Sequence, residues 1–142
     1  LHDALPISYG SGKYTGLMMQ HAGGLNVAAA SVKGARQVSL EQVLQWNPQV
    51  IFVQDRYPQV VAEIQNDPNW QGIDAVKNHR VWLMPEYAKA WGYPMPEALA
   101  IGELWMAKKL YPDAYKNVNV DAQAQEYYQR FYRVNWQPDA GK

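Results

Sequence analysis

The sequence predicts an α/β fold, a three-layer α/β/α arrangement around a mostly parallel sheet. Two observations carry this. The consecutive apolar runs Val50-Ile51-Phe52-Val53 and Val81-Trp82-Leu83-Met84 have the character of short strands covered on both faces. Segments with helical apolar spacing alternate with them, which argues for parallel strands with helices on either side of the sheet. Internal repeats and low-complexity segments are absent.

Taken in order, Tyr9-Gly10-Ser11-Gly12 has the character of a strand end and the loop after it. Tyr14, Leu17, Met18 and His21 then share one face of a helix that Gly23-Gly24 stops. Leu25-Asn26-Val27-Ala28 is expected to be extended, and residues 29–36 a polar loop with Lys33 and Arg36 in solvent. The segment QVSLEQVLQWNPQVIFVQ comes next. Ser39 and Gln42 form the S-x-x-Q pattern of a capping box, and Leu40, Val43 and Leu44 supply the apolar stripe of a helix. Asn47-Pro48 ends that helix, because a residue before proline disfavours helical geometry. Glu41 lies at the second helical position, with its carboxylate toward solvent.

After the central strand come Asp55-Arg56-Tyr57-Pro58 and a helix of about two turns carrying Val60, Val61 and Ile64. Trp70 and Ile73 precede a helical turn, and the second strand closes at Pro85. A loop of about ten residues carries Tyr87, Lys89, Trp91 and Tyr93; connections this long and aromatic are often functional. Pro96 sits at the first position of the longest helix, apolar over most of its circumference through Ala98, Leu99, Ile101, Leu104, Trp105 and Met106. Asp121 caps a last helix whose Ala124, Tyr127, Tyr128, Phe131 and Tyr132 form a core stripe, and a polar tail follows from Trp136.

Composition narrows the function. With 13 basic and 13 acidic residues the net charge is zero, so no basic field for nucleic acid exists. Zero cysteines exclude disulfides, thiolate metal sites and a cysteine nucleophile. Six Trp and ten Tyr against two Phe favour a surface that holds something large and partly polar. GxSxG, Walker A and GxGxxG motifs are missing, and the GSGK string at Gly10 to Lys13 lacks the spacing of a phosphate loop. His2, His21 and His79 lack metal-ligand spacing, and Glu97 and Glu103 lie six apart, on different helix faces. No catalytic residue, metal ligand or cofactor is expected.

VSLEQVLQWNPQVIFV resembles the corresponding segment of the class III periplasmic binding proteins, the receptors of ABC importers for cobalamin, iron siderophores, haem and molybdate. The order helix, Ala-Gly-Gly, Asn-Val-Ala, the stretch from Trp70 through Ile73-Asp74-Ala75-Val76-Lys77-Asn78 to Arg80-Val81, and the run from Trp91-Gly92-Tyr93-Pro94 to Tyr111-Pro112 follow the same family's pattern. The resemblance implies a Rossmann-like C-terminal lobe at residues 9–135 that forms one wall of a cleft for a metal chelate. A ferric siderophore is the leading ligand, with haem, corrinoid and molybdate open. It further implies that Glu41 docks on an ABC permease dimer, that an N-terminal lobe lies upstream, and a periplasmic or extracytoplasmic place, with a lipid anchor open. Residues 1–8 are set aside, since LHDALPI resembles a translated sequencing adapter, and 136–142 are assigned to a tail. The other reading is a small flavodoxin-like, chelatase-type enzyme domain acting on a tetrapyrrole or metal, which would need a histidine or carboxylate pair converging at the sheet edge.

In parallel α/β sheets ligands gather beyond the carboxyl ends of the strands. That rule collects Ser11 to Tyr14, Arg56 and Tyr57, the loop with Trp91 and Tyr93, and Glu41 at the start of its helix. The ligand-binding candidates are therefore Arg56, Tyr57, Trp91, Tyr93 and Tyr14. Arg56 offers a forked donor to carboxylate, catecholate or molybdate oxygens, or is an exposed loop cation. Trp91 and Tyr93 either line the cleft or pack beneath the loop. Tyr14 opens a helix whose free N–H groups favour anions, yet it also begins an apolar stripe. Lys89 is read as solvated.

Overall fold

The computed structural model of the 142-residue chain describes residues 7–10, 12–88 and 95–137, with residues 7–9 described by backbone alone. Two parallel strands form its centre: β3 (Ile51–Val53) and β4 (Val81–Leu83), in the register Ile51↔Val81, Phe52↔Trp82 and Val53↔Leu83. Both faces of this pair are covered. Ile51, Val53, Val81 and Leu83 pack with Val43 of α2 (Leu40–Trp46), Ile64 of α3 (Pro58–Asn66) and Ala75 and Val76 of α4 (Asp74–Lys77). Phe52 turns to the other face, 5.6 Å from the Trp105 ring of α5 (Glu103–Leu110). There Met18 of α1 (Tyr14–His21), Met84, Tyr87, Met106 and Ala124 of α6 (Val120–Tyr132) build a second cluster. The alternation of side chains along a three-residue strand thus separates two helical layers. The α/β class and the three-layer order are as the sequence predicts.

Local chemistry explains the boundaries. Ser39 accepts from the Gln42 backbone N–H at 3.2 Å, and the Gln42 side chain accepts from the Ser39 N–H at 3.1 Å, completing the capping box. Asn47 ends α2 in the left-handed region at φ 43°, a conformation that asparagine tolerates and that lets the chain reverse into β3. Its side chain also accepts from the Asp74 N–H at 2.9 Å, tying that turn to α4. Pro58 starts α3 at its first position, where the missing N–H costs nothing.

Several expectations need correction. Residues 25–28 are not extended: Asn26 Oδ1 accepts from the Ala28 N–H at 3.1 Å, and Ala28 carbonyl accepts from Val32 N–H at 2.8 Å, so local turns win. The expected polar loop holds β2 (Ala35–Gln37), which pairs antiparallel with β1 (Ile7–Tyr9) in a separate sheet. Among the described residues the strands therefore form one parallel and one antiparallel pair. Asn119, not Asp121, caps α6, its side chain accepting from the Ala122 N–H at 3.0 Å. The last turn of α6 overhangs the core: Phe131 is 63% exposed and Tyr132 49%. Trp136, placed in a polar tail, packs edge-on against Tyr87 at 5.4 Å.

Candidate functional site at the carboxyl edge of the parallel strands

Chain direction decides what stands at each end of the layers. Because β3 and β4 are parallel, Gln54–Tyr57 and Met84–Ala88 leave the sheet on the same side. α2 returns into β3 through the short turn at Asn47-Pro48, so it runs opposite to the strand and begins at that side too. Glu41 and Arg56 therefore share one edge. At the far edge the Arg80 guanidinium donates to the Lys109 and Leu110 carbonyls at 2.9 and 3.1 Å, holding the end of α5 there. The start of that helix, with Met95 and Glu97, consequently returns to the strand-exit edge. α6 runs back from Val118, whose carbonyl accepts from Lys108 Nζ at 2.6 Å, so its last turn, with Tyr128 and Tyr132, reaches the same edge.

Glu41 is exposed. Its carboxylate accepts hydrogen bonds from its own backbone N–H and from the Ser39 hydroxyl, which hold its pKa below the usual carboxylate value. The side chain does face water, and the Ser39 cap helps to orient it. Arg56 is exposed on the turn after β3, closed by the Tyr57 N–H donating to the Gln54 carbonyl at 3.0 Å. Tyr57, 47% exposed, is the N-cap residue of α3. Arg56 and Tyr57 thus follow β3 directly, and Glu41 opens α2.

Tyr14 is placed differently. Its ring is buried at the α1–α5 seam, and its hydroxyl donates to Glu103 Oε1 at 3.3 Å. Burial, then the Glu103 charge and hydrogen bond, push its pKa up to about 12. Tyr14 is thus committed to packing. His21, exposed, meets the same Glu103 oxygen through Nδ1 at 2.7 Å. Trp91, Tyr93 and Lys89 lie outside the described residues. Tyr87, in the stretch read as a binding loop, is fully buried in the 3₁₀ turn Glu86–Ala88. Among the described residues no group of three or more His, Cys, Asp or Glu side chains could hold a metal ion.

Sequence reasoning missed one constellation at this edge. Glu97, at the foot of the π-helical turn Ala98–Gly102, is 8% exposed, and one carboxylate oxygen accepts from the Tyr132 hydroxyl. The sequence offers Glu97 only as a carboxylate pair with Glu103, set aside on spacing, and Tyr132 only as core. The one available signal was a carboxylate just before the apolar run Ala98 to Ile101.

The chain is thus a three-layer α/β lobe with its turns and helix starts on one strand-exit edge. The chain matches the periplasmic binding protein family over residues 1–88, and it belongs to that family. It is 64% identical over 132 residues to the molybdate-binding protein MolA of Haemophilus influenzae, covering 93% of this chain and 38% of that protein. The solved structure of the H. influenzae molybdate periplasmic binding protein MolA, bound to molybdate, superposes with a TM-score of 0.88 at 62% identity, over 97% of this chain and 42% of that one. CeuE of Helicobacter pylori, in complex with nickel and histidine, gives a TM-score of 0.75 at 27% identity over 91% of this chain and 41% of that one. The chain thus spans about 38% of the curated relative's length.

Proposed function

We propose that this chain is the C-terminal-lobe wall of the substrate-binding component of an ABC importer, acting without catalysis outside the cytoplasm, and that its ligand is a molybdate-type oxyanion. The observation that carries this reading is the 64% identity, over 93% of the chain, to a protein named for molybdate binding. Ferric siderophore, the leading ligand of the sequence reading, gains no comparable support. The geometry is compatible with an oxyanion: an exposed guanidinium at Arg56 stands beside the start of α3, whose dipole presents its positive end to the same edge. Haem and corrinoid would need a wide apolar face, whereas an oxyanion needs forked, charge-assisted donors of this kind. In this reading the second lobe closes on that edge, and Glu41 on the rim meets arginines of the permease dimer.

Calorimetric titration of the full-length protein tests the ligand assignment. Saturable binding of molybdate, with none of a ferric hydroxamate or haem, is the expected result. Tight binding of a ferric siderophore with molybdate inert would overturn it.

A further inference from the structure

A cavity of about 490 Å³ opens at the strand-exit edge, lined by Glu86, Met95, Glu97, Tyr128, Tyr132 and Val134. Its volume lies within the range of about 300–1,000 Å³ usual for organic ligands. Two carboxylates, Glu86 and Glu97, are among its lining residues. Glu97 is more than nine-tenths buried; one oxygen accepts from Tyr132, while Oε2 is buried and lacks a hydrogen-bond partner among the described residues. A buried carboxylate oxygen without a donor is unfavourable, and a cationic N–H group placed against it removes that penalty. Glu86 adds a second carboxylate. Both reach the Tyr128 phenol: burial first, then Glu97 and Glu86, push its pKa up to about 12. The Tyr128 phenol therefore keeps its proton at neutral pH.

The rest of the lining is aromatic and apolar. The Tyr128 and Tyr132 rings lie 5.6 Å apart, beside Met95 and Val134. Tyrosine rings attract a cation through their quadrupole. A bare calcium or magnesium ion fits less well, because it asks for about six to eight converging oxygens and the Tyr132 hydroxyl is already spent on Glu97. An oxyanion is repelled by both carboxylates, so this cavity is distinct from the oxyanion contact proposed above and does not depend on it.

We propose that this cavity binds a guanidinium or primary ammonium group, held between Glu97 Oε2 and the Tyr128 and Tyr132 rings. The group comes either from a diffusible organic cation or from an arginine or lysine in the remainder of the full-length protein. Crystals of the full-length protein, with and without methylguanidinium, together with calorimetry, separate the sources. A diffusible ligand is supported by methylguanidinium bound against Glu97 Oε2 with saturable heat. An internal source is supported by an arginine or lysine side chain in that position without the additive, and no heat. In the first case Glu97→Gln is expected to weaken methylguanidinium binding by about tenfold or more. Glu86→Gln, which leaves the Tyr132 hydrogen bond intact, also weakens it and guards against a folding defect at Glu97. A cavity holding only water or molybdate, or equal methylguanidinium binding by the parent protein and both variants, overturns the proposal.

Discussion

The start of α2 shows how one side chain sets another's charge. The Ser39 hydroxyl accepts from the Gln42 N–H and donates to the Glu41 carboxylate, so a single serine serves cap and acid together. Ser39→Ala should cost about 0.5–2 kcal/mol in chemical denaturation. It should also move the Glu41 titration, followed by carboxyl NMR, up toward the ordinary carboxylate value. The sign is that of a depressed acid: whatever stability Glu41 contributes is present above its unfolded pKa and is lost as pH falls through the folded one. An unmoved Glu41 titration would remove Ser39 from the account. Arg80 acts at longer range. Its two hydrogen bonds to the last carbonyls of α5 join positions about 30 residues apart. Arg80→Ala should cost about 1.5–3 kcal/mol, since donors to these carbonyls are charged. A loss within experimental error in urea unfolding would show that water replaces the guanidinium freely.

At the level of elements, the π-helical turn Ala98–Gly102 decides how closely α5 approaches the turn after β4. A Cβ on Gly102 would lie 2.9 Å from Ala88 Cα and 3.1 Å from the Tyr87 carbonyl oxygen, both backbone atoms that cannot yield cheaply. Gly102 has ordinary helical angles, φ −62° and ψ −41°, so its need for glycine is one of space, not of conformation. Gly102→Ala would gain about 1 kcal/mol of helix propensity but should lose more by overpacking, which costs about 1–3 kcal/mol. A net drop in unfolding free energy is expected, and a more stable variant would refute the contact. Elements like these were largely legible in the sequence. The capping box, the Asn47-Pro48 stop and the apolar runs of β3 and β4 act through neighbours within a few residues, and they appear where the pattern puts them. β2 was not legible, because Ala35, Arg36 and Gln37 are all exposed and carry no apolar alternation; only pairing with β1 makes them a strand. The exposed end of α6 failed for the opposite reason. Helical spacing at Phe131 and Tyr132 is continuous with that at Ala124, and periodicity cannot tell where the supporting layer stops.

For the whole molecule, the parallel register of β3 and β4 places Glu41, Arg56, Glu97 and Tyr132 at one end of the layers and leaves Arg80 at the other. In the full-length protein Arg56→Ala should weaken molybdate binding by about tenfold or more, the loss expected for one charge-assisted hydrogen-bonding group. Glu41→Gln should leave ligand affinity unchanged and lower the uptake rate in reconstituted transporter. An affinity unaltered by Arg56→Ala would take that residue out of the ligand contact. An uptake rate unaltered by Glu41→Gln would take the glutamate out of permease docking.

The amino-acid sequence alone determined the order α2, β3, α3 and β4, the capping box at Ser39 and the stop at Asn47-Pro48, and through these the edge expected for Glu41, Arg56 and Tyr57. Each of those depends on short-range steric and hydrogen-bonding preferences. Only tertiary structure decided that Tyr14 belongs to Glu103, 89 positions away, and that Glu97 belongs to Tyr132, 35 positions away. Such pairs are chosen by how layers stack and where helices end, and no local spacing records that choice. The same stacking leaves one carboxylate oxygen of Glu97 buried and, among the described residues, without a donor, beside the cavity at the strand-exit edge.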